Sequence, residues 1–262
     1  RTLDAILSHG ELLSVNIITS AARQLGLNAE FVDTKKIITT NSNYGSAKVD
    51  FKASNKNILQ LFSNSETTKF ITGFISSNSQ KITTTLGRGG SDYTASIIAA
   101  AINAEAIEIW TDVDGVMTAD PRKVKAAFSL KKLSYNEAME MSHFGAKVIY
   151  PPTLQPVFSK KIPIKIKNTF HPSFEGTLIS HENDEGNKML IKGISSIDGV
   201  SLITVQGSGM IGVTGFSARV FGCLGINGIN IIMITQASSE HSITYAVSPG
   251  EDIKAKEAIE SE

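Results

Sequence analysis

Apolar residues along the chain follow helical and strand spacings in alternation. One stripe predicts a helix over 11–25, closed by Gly26 as its C-cap, and is formed by Leu12, Val15, Ile18, Ala22 and Leu25. Short apolar runs predict strands at 29–32, 70–75, 81–86, 106–110 and 162–166. Further helices are predicted over 93–103, from Ser134 towards Phe144, and from Pro151.

Two local signals refine this pattern. The strand at 81–86, the segment GRGGSD, the helix at 93–103 and the strand at 106–110 follow one another closely. This order predicts a βαβ crossover and therefore a parallel sheet. Ser134 and Glu137 have the spacing of a capping box, which predicts that a helix begins there.

The last third of the chain has a different order of elements. After a polar linker at 181–187, the pattern predicts a strand at 200–205, a helix at 217–224, strands at 230–235 and 242–247, and a helix from Glu251. This βαββα order is a ferredoxin-like α+β unit without its last strand. We therefore predict two domains, residues 1–182 and 183–262.

Composition excludes several classes of protein. Hydrophobic residues make up 41% of the chain, which excludes intrinsic disorder. Lys and Arg (25) balance Asp and Glu (25), which argues against nucleic-acid binding, and no apolar run is long enough for a membrane span. The single Cys223 excludes a disulfide framework, fits a reducing compartment such as the cytoplasm, and most simply packs in its helix. The five histidines lack metal-ligand spacing, so no metal site is predicted.

The amino end, Arg1-Thr2-Leu3-Asp4, resembles neither a signal peptide nor a transit peptide. It also lacks an initiator Met, so we expect the chain to be part of a longer protein.

The segment Thr85–Thr94 carries the sharpest chemical signal. Its three glycines allow backbone N–H groups to approach an anion at the start of the next helix, and Arg88 adds a fork suited to a carboxylate or phosphate. Alternatively, Ser91 or Asp92 only caps that helix and the glycines form a tight turn.

A second candidate, Trp110–Arg122, follows a predicted strand, where open parallel sheets bind ligands. Its carboxylates with Arg122 could hold ribose hydroxyls, a phosphate or a magnesium shell, or could be ordinary turn residues. An EF-hand is excluded, because Gly115 directly follows the acid pair and no Glu closes the loop.

Three weaker signals have simple structural alternatives. Glu11 could be a dipole partner at a helix start, and Lys147 a solvated lysine. The segment GSGMIG (207–212) fits a dinucleotide fingerprint, but no acid follows at the required spacing and the next two strands predict a hairpin. We therefore reject dinucleotide binding there.

The chain resembles aspartokinase, of the amino-acid kinase superfamily, in three segments in register: TTTLGRGGSDYTA (83–95), WTDVDGVMTADPR (110–122) and FGAKVIYPPTLQP (144–156). SHGELLS (8–14) is similar to the upstream substrate motif of that family. GFSARVF (215–221) and ITQASSEHSI (234–243) resemble its first ACT regulatory domain. EIWTDVDGV and QASSE are most similar to bifunctional aspartokinase–homoserine dehydrogenases.

The resemblance implies an α/β fold: an amino-acid-kinase αβα sandwich with a mainly parallel sheet, then an incomplete ACT domain. It implies ATP-dependent phosphorylation of the β-carboxylate of L-aspartate, with magnesium held mainly through the nucleotide phosphates. Asp92 would lie near the transferring phosphate and Glu11 would face the aspartate α-ammonium. Aspartate would be held by the glycine segment: Arg88, Gly89, Gly90 and Ser91.

The nucleotide contacts implied by the resemblance are Thr111, Asp112, Met117, Arg122, Lys147 and Val148. Met117 departs from the Tyr that is usual in the family, so a ring or hydroxyl contact there is in doubt. GFIS (73–76) replaces the more usual GF-x-G. The family's phosphate loop, similar to Lys-Phe-Gly-Gly, is not found in these 262 residues, and we expect the chain alone to be nearly inactive.

The ACT resemblance implies feedback control by an amino acid and a homodimer formed through ACT domains. The effector contacts implied are Asn230, Ile231 and Gln236. Gln236 matches threonine-sensitive relatives, whereas Ile232 stands where lysine-inhibited ones tend to carry an acid, so threonine is the expected effector. The closing ACT strand and a homoserine dehydrogenase domain would come from further along the parent chain. A different kinase of the superfamily, or a non-catalytic amino-acid sensor with the same scaffold, remain alternatives.

Overall fold

A computed structural model describes residues 1–63, 66–143, 149–181, 191–236 and 241–262. Within these ranges the chain forms two compact units, Arg1–Ser196 and Ile197–Glu262. The predicted domain boundary between residues 182 and 183 falls outside the described residues. The contacts that hold the end of the first unit include those of Lys192, whose Nζ lies 3.0 Å from a carboxylate oxygen of Glu137, and of Ser195, whose Oγ donates to the Met141 carbonyl.

The first unit alternates helices and strands. Its helices are α1 (Thr2–Gln24), α2 (Phe51–Phe62), α3 (Gly90–Ile102), α4 (Tyr135–His143) and α5 (Pro151–Phe158). Its strands are β1 (Ala29–Val32), β2 (Thr39–Thr40), β3 (Thr68–Ile71), β4 (Ile75–Asn78), β5 (Thr83–Thr85), β6 (Ile107–Thr111), β7 (Lys132–Ser134), β8 (Ile164–Asn168) and β9 (Thr177–Ser180).

Most strand pairs of the first unit are parallel, as predicted. The pairs β1/β3, β2/β4, β6/β8 and β7/β9 are parallel, whereas β4/β5 and β8/β9 are antiparallel. Hydrogen bonds among the described residues divide these strands into sheets of order β1–β3, β2–β4–β5 and β6–β8–β9–β7. One apolar core joins the last sheet to α4 and α5, and a second joins α2 and α3 to the first strands.

The predicted βαβ crossover is wrong in its pairing. β5 is bonded to β4 and β6 to β8, so the strands on either side of α3 are not neighbours in one described sheet. The predicted strand at 70–75 is also interrupted, between Ile71 and Ile75. Local periodicity indicates that a segment is a strand, but its partner depends on contacts that are distant in sequence.

The first helix begins nine residues earlier than predicted. α1 starts at Thr2, so Glu11 lies in the middle of the helix and is not a dipole partner at its start. The buried carboxylate of Asp4 is bonded to residues far along the chain, which anchors the first turn. Gly10 lies inside this helix, which continues without a break on both sides of it.

The predicted capping box at the start of α4 is confirmed. The Ser134 N–H donates to Glu137 Oε2 at 2.7 Å, and the Glu137 N–H donates to Ser134 Oγ at 3.2 Å. Each side chain thereby satisfies a backbone donor that the helix leaves free.

The second unit has the predicted βαββα order: β10 (Ser201–Gln206), α6 (Phe216–Ile226), β11 (Ile231–Gln236), β12 (Ser242–Val247) and α7 (Asp252–Ser261). Its described strands form an antiparallel sheet of order β10–β12–β11, which confirms the predicted hairpin. Leu224, Tyr245 and Ala255 are fully buried between the sheet and the two helices. Cys223 packs there, with its Sγ 3.1 Å from the Ala258 carbonyl oxygen.

Among the helices in the described ranges, none has the length and apolar character needed to cross a membrane. The same ranges contain no group of three or more His, Cys, Asp or Glu side chains that could hold a metal ion.

Candidate functional site

The turn at Gly87–Asp92 connects β5 to the start of α3. Gly87 and Gly89 have φ angles of +77° and +65°, in the left-handed region that favours glycine. A Cβ on Gly87 would lie 3.0 Å from the Gly45 carbonyl oxygen, and one on Gly89 would collide with the Tyr150 side chain. The glycines are therefore required by both conformation and space.

The amino end of α3 carries no side-chain cap. Its N-cap is Gly89, and Ser91 and Asp92 both lie inside the first turn. The alternative that Ser91 or Asp92 merely caps this helix is therefore wrong. Because the first N–H groups of a helix have no partner within it, this end is suited to an anion.

The charged side chains of the turn differ in environment. Arg88 is exposed, so its guanidinium is available to a ligand. Asp92 is half-buried, and this burial raises the pKa of its carboxyl above the ordinary range. The turn thus combines a free cation with an acid that holds its proton more readily than usual.

The segment Gly73–Phe74 supports the turn from behind and explains the break in the predicted strand. A Cβ on Gly73 would lie 2.8 Å from the Ser91 Cα, so only glycine allows this approach. Phe74 has φ +65°, and its N–H donates to Thr94 Oγ1 at 3.1 Å. The Phe74 carbonyl accepts from the Leu86 N–H at 2.9 Å. The chain leaves strand geometry here to hold both ends of the turn.

The last residue of GFIS lies away from the turn. Ser76 is fully buried in β4, with its Oγ 2.9 Å from Thr84 Oγ1. Thr84 Oγ1 in turn lies 2.6 Å from Thr40 Oγ1, so a chain of hydroxyls crosses all three strands of this sheet. A serine at this position therefore has a structural partner.

Asp4 fastens α1 to the strand that leads into the turn. Its Oδ2 accepts from the Gly45 N–H at 2.9 Å, the Thr85 N–H at 2.9 Å and Thr85 Oγ1 at 3.1 Å. The side chain is almost fully buried, so these bonds satisfy a charge that has left water.

We expect Asp4→Ala to destabilise the chain by about 3 kcal/mol, because the buried Thr85 N–H would be left unpaired and the bonds to Thr85 Oγ1 and the Gly45 N–H would be lost. Asp50→Ala is the matched control: Asp50 caps α2 through a single exposed bond to the Ala53 N–H, so its loss should cost about 1 kcal/mol. Urea unfolding followed by circular dichroism measures both. Equal losses would contradict the anchoring role of Asp4.

Glu11 lies on the same face of α1 as Asp4. The two residues are seven apart, two helical turns, and therefore about 10 Å apart along the axis. α1 packs against β5, whose end Asp4 holds at Thr85. The half-buried Glu11 carboxylate accordingly lies on the side of α1 that faces this sheet.

The segment 111–122 begins where β6 ends. Thr111 is the last residue of β6 and its carbonyl accepts from the Thr169 N–H at 2.8 Å. Thr111 Oγ1 donates to the exposed carboxylate of Asp112 at 3.1 Å. Met117 is half-buried and forms an isolated bridge with Ser129.

The carboxylates of this segment do not converge on one point. Asp114 Oδ1 accepts from Asn168 Nδ2 at 2.7 Å and lies 3.1 Å from His171 Nδ1. These hydrogen bonds, that from Asn168 foremost, hold the pKa of Asp114 below its usual range. Asp120 instead pairs with Arg122. Asp112, Asp114 and Asp120 therefore each have different hydrogen-bond partners.

Arg122 and Asp120 form a two-pronged pair on the surface. Arg122 Nε lies 3.0 Å from Asp120 Oδ1 and Nη2 lies 2.8 Å from Oδ2. Hydrogen bonds from the Arg122 side chain and backbone lower the pKa of Asp120 to about 2.

The Asp120 carboxyl should therefore titrate near pH 2, and Arg122→Ala should raise that midpoint towards the ordinary 3.8. Since the pKa is lowered in the folded state, the pair stabilises the loop above pH 3.8, and this contribution is lost as the pH falls towards 2. Carbon-detected NMR of the aspartate carboxyls measures the midpoint. Arg219→Ala, in the second unit, is the control that should leave it in place; an unchanged midpoint in Arg122→Ala would contradict the pairing.

α3 and β6 bring the two candidate segments towards each other. α3 packs against β6, and only residues 103–106 connect them, so β6 runs back alongside the helix. The carboxyl end of β6, at Thr111, is therefore directed towards the amino end of α3. Lys147 and Val148 lie outside the described residues.

The second unit contains a cavity of about 260 Å³ at the loop before α6. Its lining includes the apolar Met210, Phe216 and Ile243 and the polar Thr214, Ser217 and Gln236. Of the three effector residues expected from the sequence, only Gln236 lines it. Asn230 precedes β11 and Ile231 begins it, whereas Gln236 ends that strand.

Sequence reasoning did not identify Asp4 or Tyr150, and it noted Gly73–Phe74 within GFIS without predicting that this pair supports the turn. Asp4 is 81 residues from Thr85, so no local pattern reports their bond. A glycine between two short apolar runs was the available signal for the break at Gly73. Tyr150 lies within the segment 144–156, which resembles aspartokinase, but the sequence did not indicate that its side chain packs against Gly89.

Comparison with known proteins identifies relatives of both units. The model of the amino acid kinase family matches residues 1–168, and an ACT domain model matches residues 203–262. The chain is 44% identical over 264 residues to the chloroplastic bifunctional aspartokinase/homoserine dehydrogenase 2 of Arabidopsis thaliana, covering 98% of this chain and 29% of that protein. It is 37% identical to the lysine-sensitive aspartokinase 3 of Escherichia coli, covering 92% of this chain and 54% of that protein.

Among solved structures, E. coli aspartokinase III in complex with aspartate and ADP matches with a TM-score of 0.81 and 36% identity. The match covers 94% of this chain and 54% of that chain. The chain thus spans less than a third of the bifunctional relative and about half of the E. coli enzyme.

Proposed function

This chain belongs to the amino acid kinase family, and we propose that it supplies the aspartate site and nucleotide contacts of an ATP-dependent aspartokinase. The observation that carries the proposal is the turn at Gly87–Asp92, where an uncapped helix end and one exposed guanidinium meet. An amino acid with two carboxylates matches these groups. The likeness to an aspartokinase solved with aspartate and ADP supports the same assignment.

The substrate contacts follow from charge. The Arg88 fork binds one carboxylate of aspartate, and the N–H groups of Gly89 and Ser91 at the start of α3 add neutralising dipoles. Gly90, whose N–H donates to the Gly87 carbonyl at 3.1 Å, contributes by allowing the ligand to approach the backbone closely. Glu11, on the face of α1 directed to the sheet, pairs with the α-ammonium. These opposite charges select a zwitterion over a simple dicarboxylate.

The nucleotide contacts come from segment 111–122, with Thr111, Asp112, Met117 and Arg122, and from Lys147 and Val148. β6 runs back alongside α3, which supports placing the ATP phosphates beside the bound aspartate. Magnesium is proposed to be held mainly through the phosphates of the nucleotide. Such an ion would neutralise phosphate charge.

The reaction needs no nucleophile from the protein. A β-carboxylate oxygen of aspartate attacks the γ-phosphorus of ATP, the bond to the β,γ-bridging oxygen breaks, and ADP leaves with that electron pair. Arg88 and the α3 amides align the carboxylate and offset the charge of the two anions. Asp92 lies in the first turn of α3 and is proposed to lie near the transferring phosphoryl group.

The test is an assay of the full-length protein that contains this chain, with ATP, aspartate and hydroxylamine as the trap for an acyl phosphate. We expect aspartyl hydroxamate and ADP in equal amounts, and none with N-acetylglutamate or uridylate as the acceptor. Turnover with those acceptors would indicate another kinase of the superfamily. Amino-acid binding without turnover would indicate a sensor.

The 262 residues alone should be nearly inactive in the same assay, because they contain no Lys-Phe-Gly-Gly-like phosphate loop. Ordinary turnover by this chain would contradict that expectation and would place all essential groups within it.

The ACT unit is proposed to bind threonine as a feedback effector and to form the homodimer contact, in a cytoplasmic protein fused to homoserine dehydrogenase. Gln236 lines the 260 Å³ cavity together with the hydroxyls of Thr214 and Ser217, which suits a small polar amino acid. Asn230 and Ile231 are proposed as further contacts. β11 is an edge strand that exposes Met233 and Ile234, which supports pairing with a second copy.

Calorimetry on the full regulatory region should show threonine binding and no lysine binding. Gln236→Ala should weaken threonine binding about tenfold, because one hydrogen-bonding group that lines the cavity is lost. Lys256→Ala is the control, since Lys256 is exposed on α7 and pairs only weakly with Glu260. Lysine binding without threonine binding would reverse the choice of effector.

A further inference from the structure

A lysine-rich cavity lies at one end of the β2–β4–β5 sheet. This end is remote from the turn at Gly87–Asp92, which we call the glycine turn. We call the cavity the lysine cavity; its volume is about 270 Å³ and it is lined by Lys35, Lys36, Ser77, Lys81 and Thr83. β4 and β5 are antiparallel, with Ser77 paired to Thr83 at this end and Ile75 paired to Thr85 at the other. The lysine cavity is therefore separate from the segment Gly87–Asp92.

The charges around the lysine cavity are unbalanced. No acid is among its lining residues. Lys35 Nζ lies 3.5 Å from Asp33 Oδ2, which offsets one of the three positive charges. Across the described part of the chain, no salt bridge involves Lys36 or Lys81. Two ammonium groups are thus left for a ligand.

Lys81 occupies a backbone conformation that a lysine rarely adopts. Its φ is +62°, where glycine or asparagine would be less strained. The buried Asn78 imposes this turn, because its Oδ1 accepts from the Gln80 N–H at 3.0 Å and the Ile82 N–H at 2.9 Å. The turn thereby fixes the backbone from which the Lys81 side chain extends at the lysine cavity.

The two hydroxyls of the lysine cavity have different roles. Ser77 Oγ donates to the Lys35 carbonyl at 2.6 Å, which fixes the backbone that carries two of the lysines. Thr83 is half-buried, and its hydroxyl makes no hydrogen bond to any described residue. It is available to donate to an oxygen of an anion.

We propose that the lysine cavity binds the dianionic phosphate of a small phosphorylated molecule. Lysine ammonium groups bind phosphate as point charges, and a hydroxyl beside them adds a directed bond. The volume is below that of pockets for drug-sized ligands, which favours a phosphomonoester with a short organic part. This site is additional to aspartate and ATP and does not depend on the activity assigned to the glycine turn.

The probes are inorganic phosphate and glycerol 3-phosphate, titrated into the ¹⁵N-labelled 262-residue chain in about 150 mM NaCl, where screening by salt weakens non-specific attraction to surface charges. We expect saturable shifts of the Lys36, Lys81 and Thr83 amides. Tighter binding of glycerol 3-phosphate would identify a carried phosphate as the ligand. Equal affinities would support the phosphate group but reject a contribution from the organic part.

Lys36→Gln and Lys81→Gly should each weaken binding about fivefold, the effect of losing one ammonium contact. Glycine suits the positive φ at position 81, so Lys81→Gly should keep the wild-type melting temperature and report on charge alone. Lys52→Gln, which removes a lysine from α2, is the control and should bind as the wild type does. Absence of saturation, or unchanged binding by the double variant Lys36→Gln with Lys81→Gly, would overturn the proposal.

The location of the shifts separates this proposal from the proposed kinase site. Shifts confined to residues 87–92 and 111–122 would place phosphate at the nucleotide contacts and would contradict the lysine cavity while supporting the kinase assignment. Shifts at Lys36, Lys81 and Thr83 together with a failed hydroxamate assay would retain the lysine cavity and reject the aspartokinase proposal.

Discussion

Arg88→Ala in the full-length protein should lower kcat/KM for aspartate at least a hundredfold, about 3 kcal/mol. Arg88 is the exposed guanidinium of the glycine turn, and a two-pronged bond to a carboxylate is among the stronger charge-assisted contacts in proteins. Arg88→Lys should recover only part of the loss, because an ammonium group keeps the charge but not the fork. The hydroxamate assay, run at varied aspartate, measures both variants.

Arg219→Ala is the control for this experiment. Arg219 lies in α6 of the second unit, where its Nε is 3.3 Å from Glu262 Oε1. Without effector present, its removal should leave kcat/KM for aspartate unchanged. If Arg88→Ala retained the wild-type kcat/KM, the proposed aspartate site would have to be abandoned.

Gly89→Ala should destabilise the first unit by about 3 kcal/mol. The substitution places a side chain at φ +65°, which costs about 1–2 kcal/mol, and drives a Cβ into Tyr150, an overpacking that adds a similar amount. Since Gly89 is also the N-cap of α3, the amides proposed to bind aspartate should be displaced as well. Urea unfolding of the 262-residue chain gives the free energy.

Gly26→Ala separates the two causes. Gly26 has φ +86°, and a Cβ there would meet no atom within 4 Å. Its substitution should therefore cost only the conformational term, about 1 kcal/mol. Equal losses in the two variants would show that the contact with Tyr150 contributes nothing.

Local patterns predicted those elements whose signals lie close together in sequence. The reciprocal bonds of Ser134 and Glu137 connect residues three apart, so the start of α4 was readable. The βαββα order of the second unit was readable because each strand alternates and each connection is short. The glycine turn was found because its composition is unusual over a few residues.

Features that depend on contacts between residues far apart in sequence could not be predicted from local patterns. Asp4 looked like an ordinary acid near a chain end, and its partners Gly45 and Thr85 are 41 and 81 residues away. The carboxylates of 111–122 suggested one binding group, but Asp114 pairs with residues more than 50 positions later. A sequence shows the chemistry of each side chain, but it does not show which residue that side chain will contact in the folded protein.

Arg122, proposed to contact the nucleotide, is already paired with Asp120 in the structure. A phosphate that recruits it must displace a carboxylate of the same chain, so one ionic contact is exchanged for another. Such an exchange releases little net counter-ion, and the affinity that depends on it should vary only shallowly with ionic strength. In the proposed complex, Asp120 would compete with the nucleotide for this arginine and would limit how tightly a single anion is held.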